Sequence, residues 1–225
     1  MNAPRHRERS ARRPRDGRHA GRPAHREPLA EYRDRRDFSR TAEPEGSGPP
    51  GDSGPLFVVQ IHDASSMHFD FRLESEGVLK SWAVPKGPST DPRDKRLAVP
   101  TEDHPLEYRH FEGVIARGEY GGGTVIIWDE GRWHHEGKRS VAEALDHGHL
   151  SFRLDGRKLG GGYALTRFRT NAWLLVKRDD RHASAHGTPD PARARSARTG
   201  RTLRQTATEA ERSPEDIAPT ADDQT

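Results

Sequence analysis

The sequence predicts a mainly β domain, of the sandwich or barrel type, set between two polar tails. Three observations predict it. Between residues 57 and 178 the apolar residues come in short runs broken by Gly, Pro, Asp and Ser, the punctuation of strands and turns. Several runs alternate apolar and polar residues with a period of two, as in His68-Phe-Asp70-Phe-Arg72-Leu, which gives a strand two different faces. Hydrophobic residues make up 30% of the 225 and charged residues 32%, so a core must be concentrated in one part of the chain.

Residues 1–28 are rich in Arg, Pro, His, Ala and Gly and nearly free of aliphatic side chains. Such a segment buries too little apolar area to offset its ordering entropy and is expected to be a disordered basic tail. It could add loose phosphate affinity by counterion release, or serve only for solubility. Residues 29–38 suit a short helix with Leu29, Tyr32 and Arg33 on one side, and residues 46–55 form a Gly/Pro/Ser linker.

The rest is organised around residues 57–74. Two β-prone runs flank a connection rich in turn formers, which predicts a hairpin. In that hairpin His62 and His68 fall close to opposite one another, with Cβ atoms roughly 5 Å apart. Asp70 lies two residues along the same face, and Arg72 is next in line. Two imidazoles and a carboxylate converging on one point read as a metal site, with the guanidinium as an anion-binding arm. The plainer reading is a solvated sheet face decorated with polar groups.

Strands are expected at 78–84 and 96–99, followed by the ionisable run Thr101-Glu-Asp-His-Pro. After a glycine-rich crossing at 112–123, residues 124–128 form an apolar strand, and Gly131-Arg-Trp begins its hairpin partner. One helix is well signalled: Ser140 and Glu143 make a capping box, Val141, Ala144 and Leu145 give an apolar face, and Gly148 ends it. Leu150, Phe152 and Leu154 alternate ahead of a hairpin-type turn at Asp155-Gly156, and the last strands fall at 163–168 and 173–177. Gly121-Gly-Gly and Gly160-Gly-Gly lack the spacing and trailing Lys-Ser/Thr of a phosphate loop and read as turns. The domain is thus expected to span 29–180, with residues 181–225 as a second disordered, polar tail.

With no cysteine, disulfides and thiolate metal sites are excluded, and His and carboxylates remain as ligands. This fits a reducing cytoplasm. No apolar run reaches membrane-spanning length, and the N-terminus lacks the hydrophobic region of a signal peptide, so no membrane contact is expected.

The motifs also carry a resemblance. His62-Asp-Ala-Ser-x-x-His68-Phe-Asp70-Phe-Arg72-Leu-Glu, Leu79-Lys-Ser-Trp-Ala-Val-Pro-Lys86-Gly-Pro, Lys95-Arg96-Leu-Ala-Val, Glu102-Asp-His104-Pro-Leu-x-Tyr108, Phe111-Glu-Gly-Val-Ile and Gly118-x-Tyr-Gly-x-Gly-Thr together resemble the 3′-phosphoesterase domain of bacterial DNA ligase D. The likeness continues through Phe152-Arg-Leu-x-Gly-x-Lys-Leu and Trp173-Leu-Leu-Val-Lys-Arg, and reaches upstream to Tyr32 and Arg36-Asp-Phe. One departure is Ala116, where the family often has Pro. The resemblance implies a compact β-barrel flanked by short helices, and a manganese ion, or another divalent transition metal, held by His62, His68 and Asp70. It implies that Arg72, Arg96, His104 and Tyr108 surround the scissile phosphate. Gln60, Lys86 and Glu102 match other positions important for activity, and Arg36, Asp37 and Glu43 match a flanking element that contributes to the site. His104, expected to titrate near neutrality, would contact the phosphate or protonate the leaving oxygen. With no covalent nucleophile evident, direct attack by water is favoured.

The activity so implied is removal of 3′-ribonucleotides and 3′-phosphates from DNA or RNA ends during non-homologous end joining. It would take place in a bacterial or archaeal cytoplasm, by a monomer working beside separate ligase and polymerase proteins. The length leaves no room for those two domains within this chain. Two other classes compete. A ferrous-iron oxygenase would use His68-x-Asp70 and another His as its facial triad but leaves Arg72, Arg96 and Tyr108 without a role. A non-catalytic nucleic-acid-binding barrel would rely on the basic tails and aromatics and bind regardless of chelator.

Overall fold

A computed structural model describes residues 27–47, 55–188 and 190–212. Nine antiparallel strands dominate: β1 (Leu56–Asp63), β2 (Met67–Ser75), β3 (Val78–Val84), β4 (Lys95–Pro100), β5 (Gly113–Ile115), β6 (Gly123–His135), β7 (His149–Gly156), β8 (Gly160–Arg169) and β9 (Ala172–Lys177). The order β1-β2-β3-β4-β9-β8-β7-β6 closes through a β6–β1 pairing into an eight-stranded barrel, with β5 added along the first half of β6. Closure pairs β1 with β6, which would otherwise be edges of the barrel sheet. Three short helices flank it, α1 (Ala30–Asp34), α2 (Val141–Asp146) and α3 (Leu203–Arg212), with a 3₁₀ turn at Leu106–His110. The mainly β barrel with short flanking helices is therefore the architecture seen. Among the described residues, no helix is long and apolar enough to cross a membrane.

Period-two alternation fills the barrel. Phe57, Val59 and Ile61 of β1 and Phe69, Phe71 and Leu73 of β2 point inward, joining Trp82, Trp128, Phe152, Tyr163 and Leu175 in one core. A second, smaller apolar cluster lies outside the barrel wall. Tyr32, Leu79, Leu106, Tyr108, Phe111, Ile115 and Val125 form it, and Phe38 packs against it. This outer cluster seats residues 27–47 and the 3₁₀ turn over the outward face of β1 and β2, so those strands are buried on both sides. A register shift in the β1–β6 pairing falls between Val59 and Gln60, a place where bulges commonly re-aim a side chain.

Several expectations meet the structure residue for residue. His62 is paired directly with His68 across the hairpin. Ser140 and Glu143 form a reciprocal capping box at the start of α2. Others need correction. Residues 123–135 form one continuous strand rather than two joined at Gly131. Glycine is needed there because the β7 backbone closes in: a Cβ would meet the Asp155 carbonyl oxygen at 2.1 Å. Gly160-Gly-Gly and Asp155-Gly156 likewise lie within β8 and β7, not in turns. The ordered chain also runs past the expected boundary at 180. Ala194 and Leu203 are buried in the barrel core cluster, and α3 packs on β5 and β6. Single apolar residues spaced nine apart make no periodicity, so the composition of 181–212 concealed its packing. The tail expected at 1–28 lies outside the described residues up to position 26, and that expected at the C-terminus does so from 213 onward.

Candidate metal centre and active site

The outward faces of β1 and β2 bring His62, His68 and Asp70 together, with one donor atom from each lying within 4.8 Å of the others. The hairpin register does this: His62 faces His68, and Gln60 faces Asp70. Each imidazole is oriented by a backbone carbonyl. His62 Nε2–H donates to the Gly121 oxygen at 2.7 Å, and His68 Nδ1–H donates to the Ser66 oxygen at 2.8 Å. A carbonyl can only accept, so the lone pairs are left on His62 Nδ1 and His68 Nε2. These face the two Asp70 oxygens at 3.7 and 3.6 Å. Lone pairs of two imidazoles and a carboxylate aimed at one point form a donor set that could hold a divalent cation, with the Gly121 and Ser66 carbonyls fixing the rings. Gly121 takes φ of +75°, which places its carbonyl under His62, and a Cβ there would sit 3.6 Å from the ring.

The donors open into a cleft of about 240 Å³. Arg72, 2% exposed, is held at three points: Nε donates to Gln60 at 2.9 Å, Nη1 to Ser81 at 2.9 Å and Nη2 to Asp70 at 3.0 Å. Its guanidinium lies 4.8 Å from the centre of the Tyr108 ring. Burial would push the Asp70 carboxyl up, but the neighbouring Arg72 guanidinium outweighs it and holds the group well below the usual carboxylate range. Burial likewise disfavours charging His68, and the Asp70 carboxylate reverses that and raises the imidazole above its ordinary value.

The segment before the barrel supplies the opposite wall. Arg36 lies 3.8 Å from the centre of the Tyr32 ring. It donates to Glu43 at 3.0 Å and to Glu102 at 3.1 Å, and its Nη2 faces His104 Nε2 at 3.4 Å. Tyr108 closes this network by donating to Glu43 at 2.9 Å. Burial, then the Glu43 charge, pushes the phenol well above its normal range. His104 Nδ1 donates to the Glu102 carbonyl at 2.9 Å, which leaves Nε2 as the acceptor. Burial, reinforced by Arg72 and Arg36, holds the imidazole well below its ordinary value. Two arginines and a buried setting thus disfavour charging His104, against the expectation that it titrates near neutrality.

The site residues expected from the sequence thus divide. His62, His68, Asp70, Arg72, His104, Tyr108, Glu102, Arg36 and Glu43 line one cleft. Gln60 is fully buried behind it. Its amide nitrogen donates to the Tyr108 and Phe111 carbonyls while its oxygen holds Arg72, so it ties the 3₁₀ turn to the wall. Asp37 is exposed and spends its carboxylate on the Ser39 amide and hydroxyl, shaping a turn. Arg96 and Lys86 stand apart. Arg96 is paired with core-facing Leu175 and so shares the inner face of β4 with Ala98. Its guanidinium bonds Asp94 at 2.7 Å and reaches the Lys86 carbonyl at 3.5 Å. The placement of Arg96 beside the other cleft groups is not what the strand geometry gives, because inner and outer faces of a barrel wall do not meet.

Sequence reasoning passed over Ser81, Arg35 and Tyr120. Ser81 accepts from Arg72 and lies 3.4 Å from His104 Nδ1, and alternation along β3 with Leu79 could have placed it. Arg35 donates to Glu102 at 3.0 Å and to the Tyr120 hydroxyl, a contact across 85 residues with no local signal.

The class defined so far is a closed antiparallel barrel with two histidines and a carboxylate gathered in an arginine-walled cleft. Comparison with known proteins gives the family. The DNA Ligase D 3′-phosphoesterase domain matches residues 60–167, and this part of the chain belongs to that family. The multifunctional non-homologous end joining protein LigD of Pseudomonas aeruginosa is 54% identical over 162 residues, covering 69% of this chain and 19% of that protein. The LigD of Mycolicibacterium smegmatis is 44% identical over 158 residues, covering 68% of this chain and 21% of that protein. For Mycobacterium tuberculosis LigD the figures are 47% over 148 residues, 65% and 19%. The chain thus spans about a fifth of the length of these relatives.

Proposed function

We propose that this protein is a manganese-dependent phosphoesterase that trims 3′ ends of DNA or RNA, removing 3′-ribonucleotides and 3′-phosphates, in non-homologous end joining. The observation that carries the reading is the convergence of the His62, His68 and Asp70 donor atoms in a cleft walled by Arg36 and Arg72. A divalent ion held by those three residues would act as Lewis acid and template for a phosphate. The chain's own groups account for the rest. Arg72 uses three of its five N–H groups on Gln60, Ser81 and Asp70, so it stabilises the donor carboxylate and keeps two N–H groups for phosphate oxygens. Arg36 is fixed by Glu43 and Glu102 and offers preorganised positive charge where negative charge grows. His104 lines the cleft with its Nε2 facing Arg36 Nη2 at 3.4 Å and so helps to aim that guanidinium at a phosphate oxygen. A leaving oxygen then takes its proton from water. Separate ligase and polymerase proteins would use the trimmed ends.

The test is to incubate the protein with manganese and primer–templates ending in a ribonucleotide, a 3′-phosphate or a cyclic phosphate, and to read the products. Release of nucleoside or inorganic phosphate that stops with a chelator is the expected result. Chelator-insensitive binding without turnover would instead fit the binding barrel, and ferrous-dependent oxygen consumption the oxygenase.

A further inference from the structure

The mouth of the cleft carries a ring that neither the cation donors nor the arginine walls require. Tyr120 is 46% exposed, whereas Tyr32 and Tyr108 of the same site are buried. It lines the cleft together with His62 and Asp70. Its place is built by the loop that also serves the metal donors, since Gly121, the next residue, provides the carbonyl that orients His62. On the other side, the Tyr120 hydroxyl accepts from Arg35, and Arg35 is itself anchored to Glu102 at 3.0 Å. The Arg35 and Arg36 guanidinium carbons lie 4.9 and 5.4 Å from the ring centre. An aromatic ring is thus held at a fixed angle beside two cations while nearly half of it meets solvent.

We propose that Tyr120 is the platform on which the nucleobase next to the reacting phosphate stacks, which makes it a determinant of specificity for nucleic-acid ends. The inference rests on the phosphoesterase reading and names what else the same site holds. The size of the cleft argues for it. At about 240 Å³ it is smaller than the roughly 300–1,000 Å³ of pockets that enclose a whole small ligand. A phosphate drawn to the cation donors, with part of its sugar, fills that space, and the base is left at the rim, where Tyr120 stands. Every base has a π face, so stacking on an aromatic side chain is tolerant of sequence, and Arg35 next to the ring adds a cation–π contribution. The site therefore selects a nucleoside over a bare sugar without choosing among the four bases.

A purely structural Tyr120 would act only through its hydroxyl, by steadying Arg35 on Glu102. Two variants separate the roles: Tyr120→Phe keeps the ring and loses the hydroxyl, and Tyr120→Leu loses both. Primer–templates with a 3′-phosphate are prepared with either a normal or an abasic last nucleotide. Binding is read by fluorescence anisotropy, and steady-state rates with manganese give KM and kcat. The wild type is expected to bind the base-bearing end roughly tenfold more tightly, the scale of one base–aromatic stack, whichever base is used. Tyr120→Phe keeps this preference. Tyr120→Leu abolishes it, with the loss in KM rather than in kcat. Equal binding of both ends by the wild type, or a Phe variant as impaired as the Leu variant, overturns the inference. A wild type that cleaves no end but shows the Tyr120-dependent preference rejects the phosphoesterase reading and supports the stacking role.

Discussion

The two faces of the β1–β2 hairpin are both largely buried and differently built. Inside the barrel, Phe71 is fully buried among Phe152 and other core rings. One residue away on the outer face, Asp70 and Arg72 are also buried, but each is held by directed bonds. Burial is therefore no guide to what a residue does here. The inner face gains from area and shape, and each methylene removed costs a graded amount. The outer face gains only while every charge keeps its partner, because an unpaired buried charge costs more than the pair contributes.

Cutting both faces at neighbouring positions separates the two kinds of burial most strongly. Phe71→Ala should cost about 3–5 kcal/mol through a cavity. Asp70→Ala should cost about as much, 3–5 kcal/mol, because it strands the Arg72 guanidinium. The same loss in melting temperature then has opposite consequences for the cleft. Folded Phe71→Ala protein, examined well below its melting temperature, should still bind manganese in a calorimetric titration, and Asp70→Ala should not. The Asp70–Arg72 bond is the reason to expect the fold to lose stability together with the donor set.

Arg72→Lys comes next. The sequence offered Arg72 as an anion-binding arm, and the structure gives it a carboxylate partner together with a place in the cleft. A lysine keeps the charge but not the fork that reaches Gln60, Ser81 and Asp70 at once. Stability should fall by about 1–3 kcal/mol, the cost of leaving buried polar partners unsatisfied, and single-turnover rates by roughly two orders of magnitude. Full turnover with lowered stability would confine Arg72 to the structural role. His62→Ala sits lower on the stability scale and should lose about 1 kcal/mol, the Gly121 hydrogen bond, while cation binding disappears.

How far this was legible from the sequence follows from the same contrast. Alternation in residues 68–73 announced two faces, and the hairpin register put His62 opposite His68 without any distant information. The cleft's other wall was not readable from local pattern, because Arg36, Glu43, Glu102 and Tyr108 meet only when the outer apolar cluster docks residues 27–47 against the 3₁₀ turn. Their expected roles came from the family resemblance. Arg96 shows its limit: the motif put it beside the phosphate, and strand parity puts it on the inner face of β4. Residues 181–212 were missed for a different reason, since their attachment to the barrel depends on polar clamps and isolated apolar residues that carry no period.

Asp180 is the clearest of those clamps and gives the smallest expected effect. Its carboxylate accepts from Lys177 Nζ at 2.6 Å and from the amides of Gly162 and His182 at 2.7 and 2.8 Å. Lys177 is itself buried, with further bonds to the Gly162 and Arg178 carbonyls. Desolvation opposes the Asp180 charge, but the Lys177 bond and the two amides outweigh it and hold the carboxyl well below its ordinary value. A depressed carboxylate adds stability that is complete above the unfolded pKa, about 3.9. That stability is lost as pH falls towards the folded value. Asp180→Asn has no charge to lose there. It should melt below the wild type at about pH 7, and the gap should narrow steadily below about pH 4. Amide exchange should quicken first in residues 181–212, where the clamp joins the chain to β8, and least in β1 and β2. A gap in melting temperature that stays constant from neutral to acid pH would show that the Asp180 charge contributes nothing and that the hydrogen bonds alone, which asparagine partly retains, hold this segment to the barrel.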